Sequence, residues 1–289
     1  MTALKVVAVY PSSRLLGYLR AGSWQLRLGT LGIVLLVLAA IFAPIITSYD
    51  PTKTDAINSL RPPSLNHWFG TDQLGRDLYT RVVYGARIDL LIGFVGVTIP
   101  LLIGFVIGLI GGFYGGWLDA VIGRVVDVVV AFPFLVIVIA IVAVLGPGLM
   151  SLFIAISLVS WVAYARIIRA ETLVAKRREY VLAGRALGYS DLRLMFRHIL
   201  PNAVAPAFVF AMSDFVLDIV AGASLGFFGL GVPAPTPEWG TMIAEGRNFI
   251  LTSPWVVIFP GLAIILVGFI FSLIGDGLAD AVRRVDARG

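Results

Sequence analysis

Cysteine is absent from this 289-residue chain. Its absence excludes disulfides, thiolate nucleophiles and cysteine-ligated metal sites in one step. Histidine is scarce as well, because His67 and His198 are the only two. The charge pattern puts them on opposite faces of a membrane, so they cannot share a metal ion, and the Asp and Glu spacing offers no alternative cage. We therefore predict no catalytic residue, metal or cofactor in this chain, and a membrane-embedded enzyme is disfavoured.

Charged residues are the second shortage. They make up 13% of the chain, whereas about a quarter of residues are charged in soluble domains. Hydrophobic residues make up 59%, and the mean hydropathy is +0.95. The apolar runs do not alternate as barrel strands do, so we predict an all-α polytopic bundle, one transmembrane domain over residues 1–289. Spanning helices need about 20 apolar residues, and six windows qualify: residues 28–47, 90–112, 122–145, 149–165, 203–225 and 255–274.

Lys and Arg are unevenly divided between the connections. With the N-terminus in the cytoplasm, 16 of the 22 fall on the cytoplasmic side, including Lys5, Arg14 and Arg20 of the N-terminal tail. Cytoplasmic loops of membrane proteins carry such an excess. We predict that both termini are cytoplasmic. The formal net charge of +5 then needs no nucleic-acid partner.

A charged segment, residues 176–202, lies between apolar runs that carry no charge at residues 149–165 and 203–213. Its sequence is KRREYVLAGRALGYSDLRLMFRHILPN. It predicts a short amphipathic helix, broken at Gly188 and stopped by Pro201, that lays an apolar side into a groove on a soluble partner. The alternative is a basic helix lying on anionic headgroups. The apolar side comprises Val181, Leu182, Leu187, Leu192, Met195 and Phe196.

Within this segment, the spacing of Gly188, Leu200 and Pro201 resembles the EAA loop of ABC importer permeases. The match is partial, because Leu182, Ala183 and Gly184 stand where Glu-Ala-Ala is expected. The resemblance implies that this loop couples the spans to an ATPase. The residues it assigns to coupling are Ala183, Gly184, Leu187, Gly188, Asp191, Leu192, Leu200 and Pro201.

Further segments extend the resemblance over most of the chain from residue 66 onward. Residues 69–87, FGTDQLGRDLYTRVVYGAR, are similar to the segment before the second span in the dipeptide, oligopeptide and nickel branch of these permeases. Residues 111–133, 227–240 and 259–281 are similar to later segments of that branch, in the same order. The chain thus resembles the C-type permease subunit. Asp89 departs from the pattern, where a hydroxyl is more usual, and is expected to bear on substrate choice.

The resemblance implies partners in a bacterial-type plasma membrane. They are a second homologous permease subunit, two ATPase subunits that bind ATP and Mg, and an extracytoplasmic substrate-binding protein. This chain has no phosphate-binding Gly-x-x-x-x-Gly-Lys-Ser/Thr motif, since none of its three lysines follows a glycine. The expected function is to form half of the translocation pathway for di- or oligopeptides. The alternatives are import of nickel or another small solute, and a secondary transporter or channel without an ATPase.

Two carboxylates interrupt the fifth predicted span. Asp214 and Asp218 are four residues apart, which places them on one face of a helix, and each costs about 2.5–3.5 kcal/mol at a span centre. One interpretation makes them part of a polar translocation pathway. The other makes them hydrogen-bonding partners at a helix or subunit interface. The resemblance makes Asp218 the stronger candidate for the pathway, because similar family members often carry an acidic residue near that position.

A proline-rich stretch separates the last two spans. Pro235 and Pro237, with Trp239, predict a rigid extracytoplasmic loop. It is either a stiff connector or, with the stretch of residues 48–87, a docking surface for the binding protein.

Overall fold

The computed structural model describes residues 23–286. Within that range the chain is helical, and the only strand-like pairing is an isolated bridge between Thr71 and Asp77. The basic residues Lys5, Arg14, Arg20 and Arg288, which entered the orientation count, lie outside the described residues. The α-helices are α1 (Trp24–Ile41), α2 (Ala43–Ile46), α3 (Leu78–Tyr114), α4 (Gly116–Val130), α5 (Phe134–Leu145), α6 (Leu149–Ala175), α7 (Glu179–Ala186), α8 (Asp191–Arg193), α9 (Leu200–Phe227), α10 (Trp239–Gly246) and α11 (Trp255–Asp286).

Five helical stretches in the described residues are long and apolar enough to cross a membrane, or six when α4 and α5 count as one span. The predicted span at residues 122–145 is therefore not one continuous helix. Its two halves meet at an angle of 85°. The break lies at Pro133, which lacks a backbone N–H and stands at the N-cap of α5.

The predicted spans at residues 90–112, 149–165 and 255–274 are shorter than the helices that contain them. α3 begins at Leu78, where the Asp77 side chain accepts a hydrogen bond from the Thr80 backbone N–H at 2.8 Å. Apolar windows mark the hydrocarbon depth, whereas a helix ends at its caps, so α3, α6 and α11 run past them. The first span is shifted instead, because α1 ends at Ile41 and the α2 turn follows.

The centre of the bundle is made by α3, α6 and α9, and the most extensive helix contact joins α3 to α6. Gly104, Gly108 and Gly112 of α3 face α6 so closely that a Cβ atom at any of them would come within 3 Å of an α6 atom. Small residues at such spacing let helix backbones approach. α1 packs on α11, and α5 packs on α6.

Candidate functional site

The charged segment follows α6 and runs into α9. Gly188 ends α7 with φ +77°, a left-handed conformation that glycine adopts without steric cost, so the predicted break is confirmed. The predicted stop at Pro201 is wrong. A π-helical turn, Leu194–Ile199, leads directly into α9. Pro201 lies in the first turn of α9, where a missing N–H is tolerated.

The apolar side of the segment is divided between the bundle and the surface. Val181 and Met195 were expected to face a partner, but they are buried with Leu194 and Ile199 in the main hydrophobic core. The remaining apolar side chains stay largely exposed, namely Leu182, Leu187, Leu192 and Phe196. The buried residues hold the segment against the bundle, and the exposed ones are left largely uncovered by the described residues.

Most of the predicted coupling residues are accessible. Gly184 is the buried exception, packed against Leu194 and Tyr189, and Leu200 is half-buried. The exposed ones are Ala183, Leu187, Gly188, Asp191, Leu192 and Pro201.

Two polar contacts at or just before the start of this segment were not predicted from the sequence. Lys176 Nζ donates to the backbone oxygen of Gly112 at 2.7 Å, at the carboxyl end of α3. Arg169 of α6 forms a two-pronged ion pair with Asp119 of α4. These pairs are 50 or more residues apart in sequence, so no local pattern indicates them.

Asp214 and Asp218 both lie inside the bundle, 7% and 1% exposed. The Tyr164 hydroxyl of α6 donates to Asp214 Oδ2 at 2.7 Å, which is the helix-interface contact that the structural interpretation expects. Asp218 packs against Gly96 of α3, and its two carboxyl oxygens have no hydrogen-bond partner within residues 23–286.

The proline loop, residues 228–254, is attached to the bundle by Trp239. This side chain is 1% exposed, and its indole N–H donates to the Val82 backbone oxygen at 2.9 Å. Pro237 is buried as well, whereas Pro235 is exposed. The expected docking role of Pro237 and Trp239 is therefore corrected, because both are covered by this chain's own residues. The sequence around Trp239 did not indicate whether its side chain would be buried or exposed.

Asp89 does not face an open pathway. It is completely buried in α3, and its Oδ2 accepts a hydrogen bond from the Trp239 backbone N–H at 3.1 Å. The bearing of Asp89 on substrate choice stays a prediction. Its neighbour Glu238 caps α10 by accepting from the backbone N–H groups of Gly240 and Thr241.

An ionic cluster fastens the proline loop to the first loop, residues 47–77. Arg76 donates to Asp72 and to Glu245, each at 2.6 Å, and Arg81 lies 3.5 Å from the same two carboxylates. Arg81 also donates to the Pro51 backbone oxygen at 3.0 Å. Both arginines are 1% exposed. An i, i+4 spacing such as that of Asp72 and Arg76 indicates an ion pair only on a helix, and residues 72–76 are not helical, so no sequence pattern indicated this cluster.

The surface of the first loop combines polar and apolar groups. A cleft of about 640 Å³ is lined by polar side chains that include Asp50, Lys53 and Arg61. The Thr52 hydroxyl lowers the pKa of Asp50 by hydrogen bonding to its carboxylate. Three large apolar side chains stand out into solvent beside it: Ile57, Leu65 and Trp68, which are 84%, 96% and 62% exposed. Within residues 23–286, no group of three or more His, Asp or Glu side chains that could hold a metal ion is found.

Comparison with known proteins gives two family matches. The family described as "Binding-protein-dependent transport system inner membrane component" matches residues 104–284. The family described as the N-terminal TM domain of oligopeptide transport permease C matches residues 27–63. Together the matches cover α1 and everything from the middle of α3 to α11.

Curated relatives resemble nearly the whole chain. A dipeptide transport system permease protein of Alkalihalophilus pseudofirmus is 46% identical, over 89% of this chain and 85% of that protein. An oligopeptide transport system permease protein of Bacillus subtilis is 43% identical, over 88% and 83%. A glutathione transport system permease protein of Escherichia coli is 45% identical, over 86% and 83%.

Solved structures share the fold at low sequence identity. An inward-facing methionine ABC transporter chain superimposes with a TM-score of 0.57 at 19% identity, over 70% of this chain and 96% of that one. A chain of an amino acid ABC transporter with histidines gives a TM-score of 0.52 at 21% identity, over 71% and 95%.

Proposed function

The chain belongs to the family of binding-protein-dependent transport system inner membrane components, the permease subunits of ABC importers, and from that premise we propose that it forms half of the pathway of a di- or oligopeptide importer. Relatives named for dipeptide, oligopeptide and glutathione transport support the peptide assignment. The alternative substrate for the same architecture is nickel or another small solute.

The charged segment is the observation that carries the proposal. It presents Leu187 and Leu192, 73% and 63% exposed, on a segment that Val181 and Met195 anchor in the core. Exposed apolar side chains on a segment whose other residues are buried in the protein are suited to binding in a groove on a partner protein. We assign that partner as an ATPase subunit and the segment as the coupling element.

The complete complex on this proposal contains a second homologous permease, two ATPases that carry ATP and Mg, and an extracytoplasmic binding protein. The charged segment and both termini are then cytoplasmic, and the first and proline loops lie outside. α3 connects the two faces, because 37 residues at 1.5 Å per residue make a helix of about 55 Å.

The binding-protein surface is proposed on the first loop, with Pro235 at its edge. Ile57, Leu65 and Trp68 stand beside a cleft with charges of both signs. Interfaces commonly combine apolar anchors with a polar rim. Because Pro237 and Trp239 are buried, the proposed docking surface does not include them.

Asp214 and Asp218 remain proposed as part of the polar pathway, with Asp218 the stronger candidate. Its support is an acidic side chain in a membrane helix without a hydrogen-bond partner in the described residues. Replacing Asp218 with Ala should lower transport more than it lowers assembly of the complex. If transport and assembly fall equally, Asp218 has a packing role. That result would agree with the structural interpretation, in which Asp214 and Tyr164 form only a helix-interface contact.

Crosslinking tests the coupling assignment directly. Because the chain has no native cysteine, Leu187→Cys or Leu192→Cys gives a single reactive site. In a reconstituted complex that transports peptide, either should crosslink to an ATPase subunit. Leu65→Cys, at a position that is 96% exposed in the first loop, is the control and should not. An active complex in which Leu187→Cys and Leu192→Cys crosslink to nothing would overturn the assignment.

Substrate competition tests the peptide assignment separately. Uptake of a labelled dipeptide into vesicles should require ATP and the binding protein, and unlabelled peptides should compete. Competition by Ni²⁺ with none by peptides would replace peptide with metal as the cargo while leaving the coupling assignment intact.

A further inference from the structure

One face of α4 is left uncovered by the rest of the described chain. Three large apolar side chains stand on it, Trp117, Val121 and Val128, which are 75%, 53% and 64% exposed. Arg124, also exposed, lies between Val121 and Val128. Successive spacings of four, three and four residues place these four side chains on one side of the helix. We call this face the α4 stripe.

The opposite face of α4 is fixed to the bundle. Val126 is 6% exposed, and Asp119 forms its ion pair with Arg169 of α6. At the other end of α4 the chain turns through the 85° bend into α5, which packs on α6. The α4 stripe is therefore presented by a helix that is held near both of its ends.

The charges on this face argue against lipid as its only neighbour. Arg124 lies in the α4 stripe and Asp127 lies beside it, both are exposed, and neither forms an ion pair within residues 23–286. α4 and α5 together are apolar enough to count as one broken span. Charged side chains on a span are costly when they face acyl chains. A charge of opposite sign on a neighbouring protein lowers that cost, whereas acyl chains offer no such partner.

A second permease chain fits this face better than the other proteins of the proposed complex. The ATPase subunits are soluble and the binding protein is extracytoplasmic, so neither covers a membrane-embedded face. A homologous chain presents a related helix at the same depth. Charges of opposite sign about one turn apart, such as Arg124 and Asp127, can pair reciprocally across a two-fold axis.

We propose that the α4 stripe is the contact surface for the second permease, with Arg124 paired to an acidic side chain of that chain and Asp127 to a basic one. Trp117, Val121 and Val128 supply the apolar area around these pairs. The assignment rests on the second permease of the proposed function, and it adds the surface through which the two chains meet.

Photocrosslinking in the assembled, transporting complex locates the partner. Val121→Cys and Val128→Cys each give this chain a single thiol, and a benzophenone maleimide attached there reacts with its nearest neighbours when the other subunits lack cysteine. Leu35→Cys, 57% exposed on α1, is the matched control, because α1 packs on α11 and α3. Both α4 positions should crosslink to the second permease at several times the control yield. Crosslinks only to lipid, equal yields at all three positions, or crosslinks only to a second copy of this chain would overturn the assignment.

A charge variant separates a protein contact from a lipid contact. If the α4 stripe is the proposed contact, Arg124→Leu leaves the acidic partner without its cation, and recovery of the second permease with the tagged chain should fall severalfold. Arg124→Lys should keep most of the recovery. The isolated Arg124→Leu chain should keep its thermal midpoint, because Arg124 has no ion-pair partner within residues 23–286.

The outcomes distinguish this surface from the proposed function. Undiminished recovery in Arg124→Leu would mean that lipid covers the α4 stripe and would overturn the assignment. Normal recovery of the second permease without crosslinks from α4 would contradict this surface alone. A wild-type chain that recovers no second permease would contradict the proposed function as well.

Discussion

The charged segment and the proline loop are connections of similar length at opposite ends of α9, yet they use their large side chains in opposite ways. The segment leaves Leu187 and Leu192 exposed and is held by a few buried residues. The proline loop buries Trp239 against α3 and is joined to the first loop by Arg76 and Arg81. One connection leaves large apolar side chains uncovered, and the other covers them with its own chain.

Removing the buried tryptophan should have the largest effect on this contrast. Trp239→Ala leaves a cavity and removes the hydrogen bond from the indole to the Val82 carbonyl, and large-to-small changes of this kind cost about 3–5 kcal/mol. The thermal midpoint of the detergent-purified chain should fall clearly. Trp117→Ala, at a position that is 75% exposed, is the control and should change it little. An equal fall in both variants would contradict the anchoring role of Trp239.

A bulky residue at Gly188 should have the next largest effect. Gly188→Leu forces a branched side chain into φ +77°, which costs about 1–2 kcal/mol, and the strain is confined to the charged segment. Transport should fall while ATPase activity continues and the bundle stays folded. Gly188→Asn tolerates this conformation better and should be milder. Full coupling in Gly188→Leu would show that the turn is dispensable.

Removing the contact between Lys176 of the segment and α3 should have a smaller effect. Lys176→Met removes the ammonium that caps the carboxyl end of α3 at Gly112, a contact of ~1 kcal/mol. We expect a small loss of thermal stability and a partial loss of coupling between ATP hydrolysis and transport. Arg177→Met, at the exposed neighbouring position, is the matched control. Identical behaviour of the two variants would remove Lys176 from the connection between segment and bundle.

Replacing the exposed leucines should have the smallest effect on stability. Leu187→Ser with Leu192→Ser changes exposed positions, so the free energy of unfolding should move by less than about 0.5 kcal/mol. Association with the ATPase subunits should nevertheless be lost in a pull-down from a reconstituted mixture. Val181→Ser, in the buried half of the segment, should instead destabilise the chain. Retained association in the double variant would place the partner surface elsewhere.

The sequence predictions succeeded where a feature has a local cause and failed where tertiary packing decides it. The break at Gly188 was predicted from the sequence, because it depends on the glycine's own backbone. The close approach of α3 and α6 at Gly104 and Gly108 also has a local cause, the missing Cβ. The bend at Pro133 has a local cause as well. The stop at Pro201 was misread, because the π-helical turn before it let the proline enter α9 in its first turn, where no N–H is needed.

The sequence by itself determined the solvent in which this chain folds, the helical class and the approximate place of each span, because apolar run length and charge are properties of neighbouring residues. Only the tertiary structure decided that Trp239 is an anchor and Leu187 a surface residue, and that Arg76 meets Glu245. Burial and pairing of these side chains are set by residues up to 169 positions away. Such contacts exist only once the helices have packed.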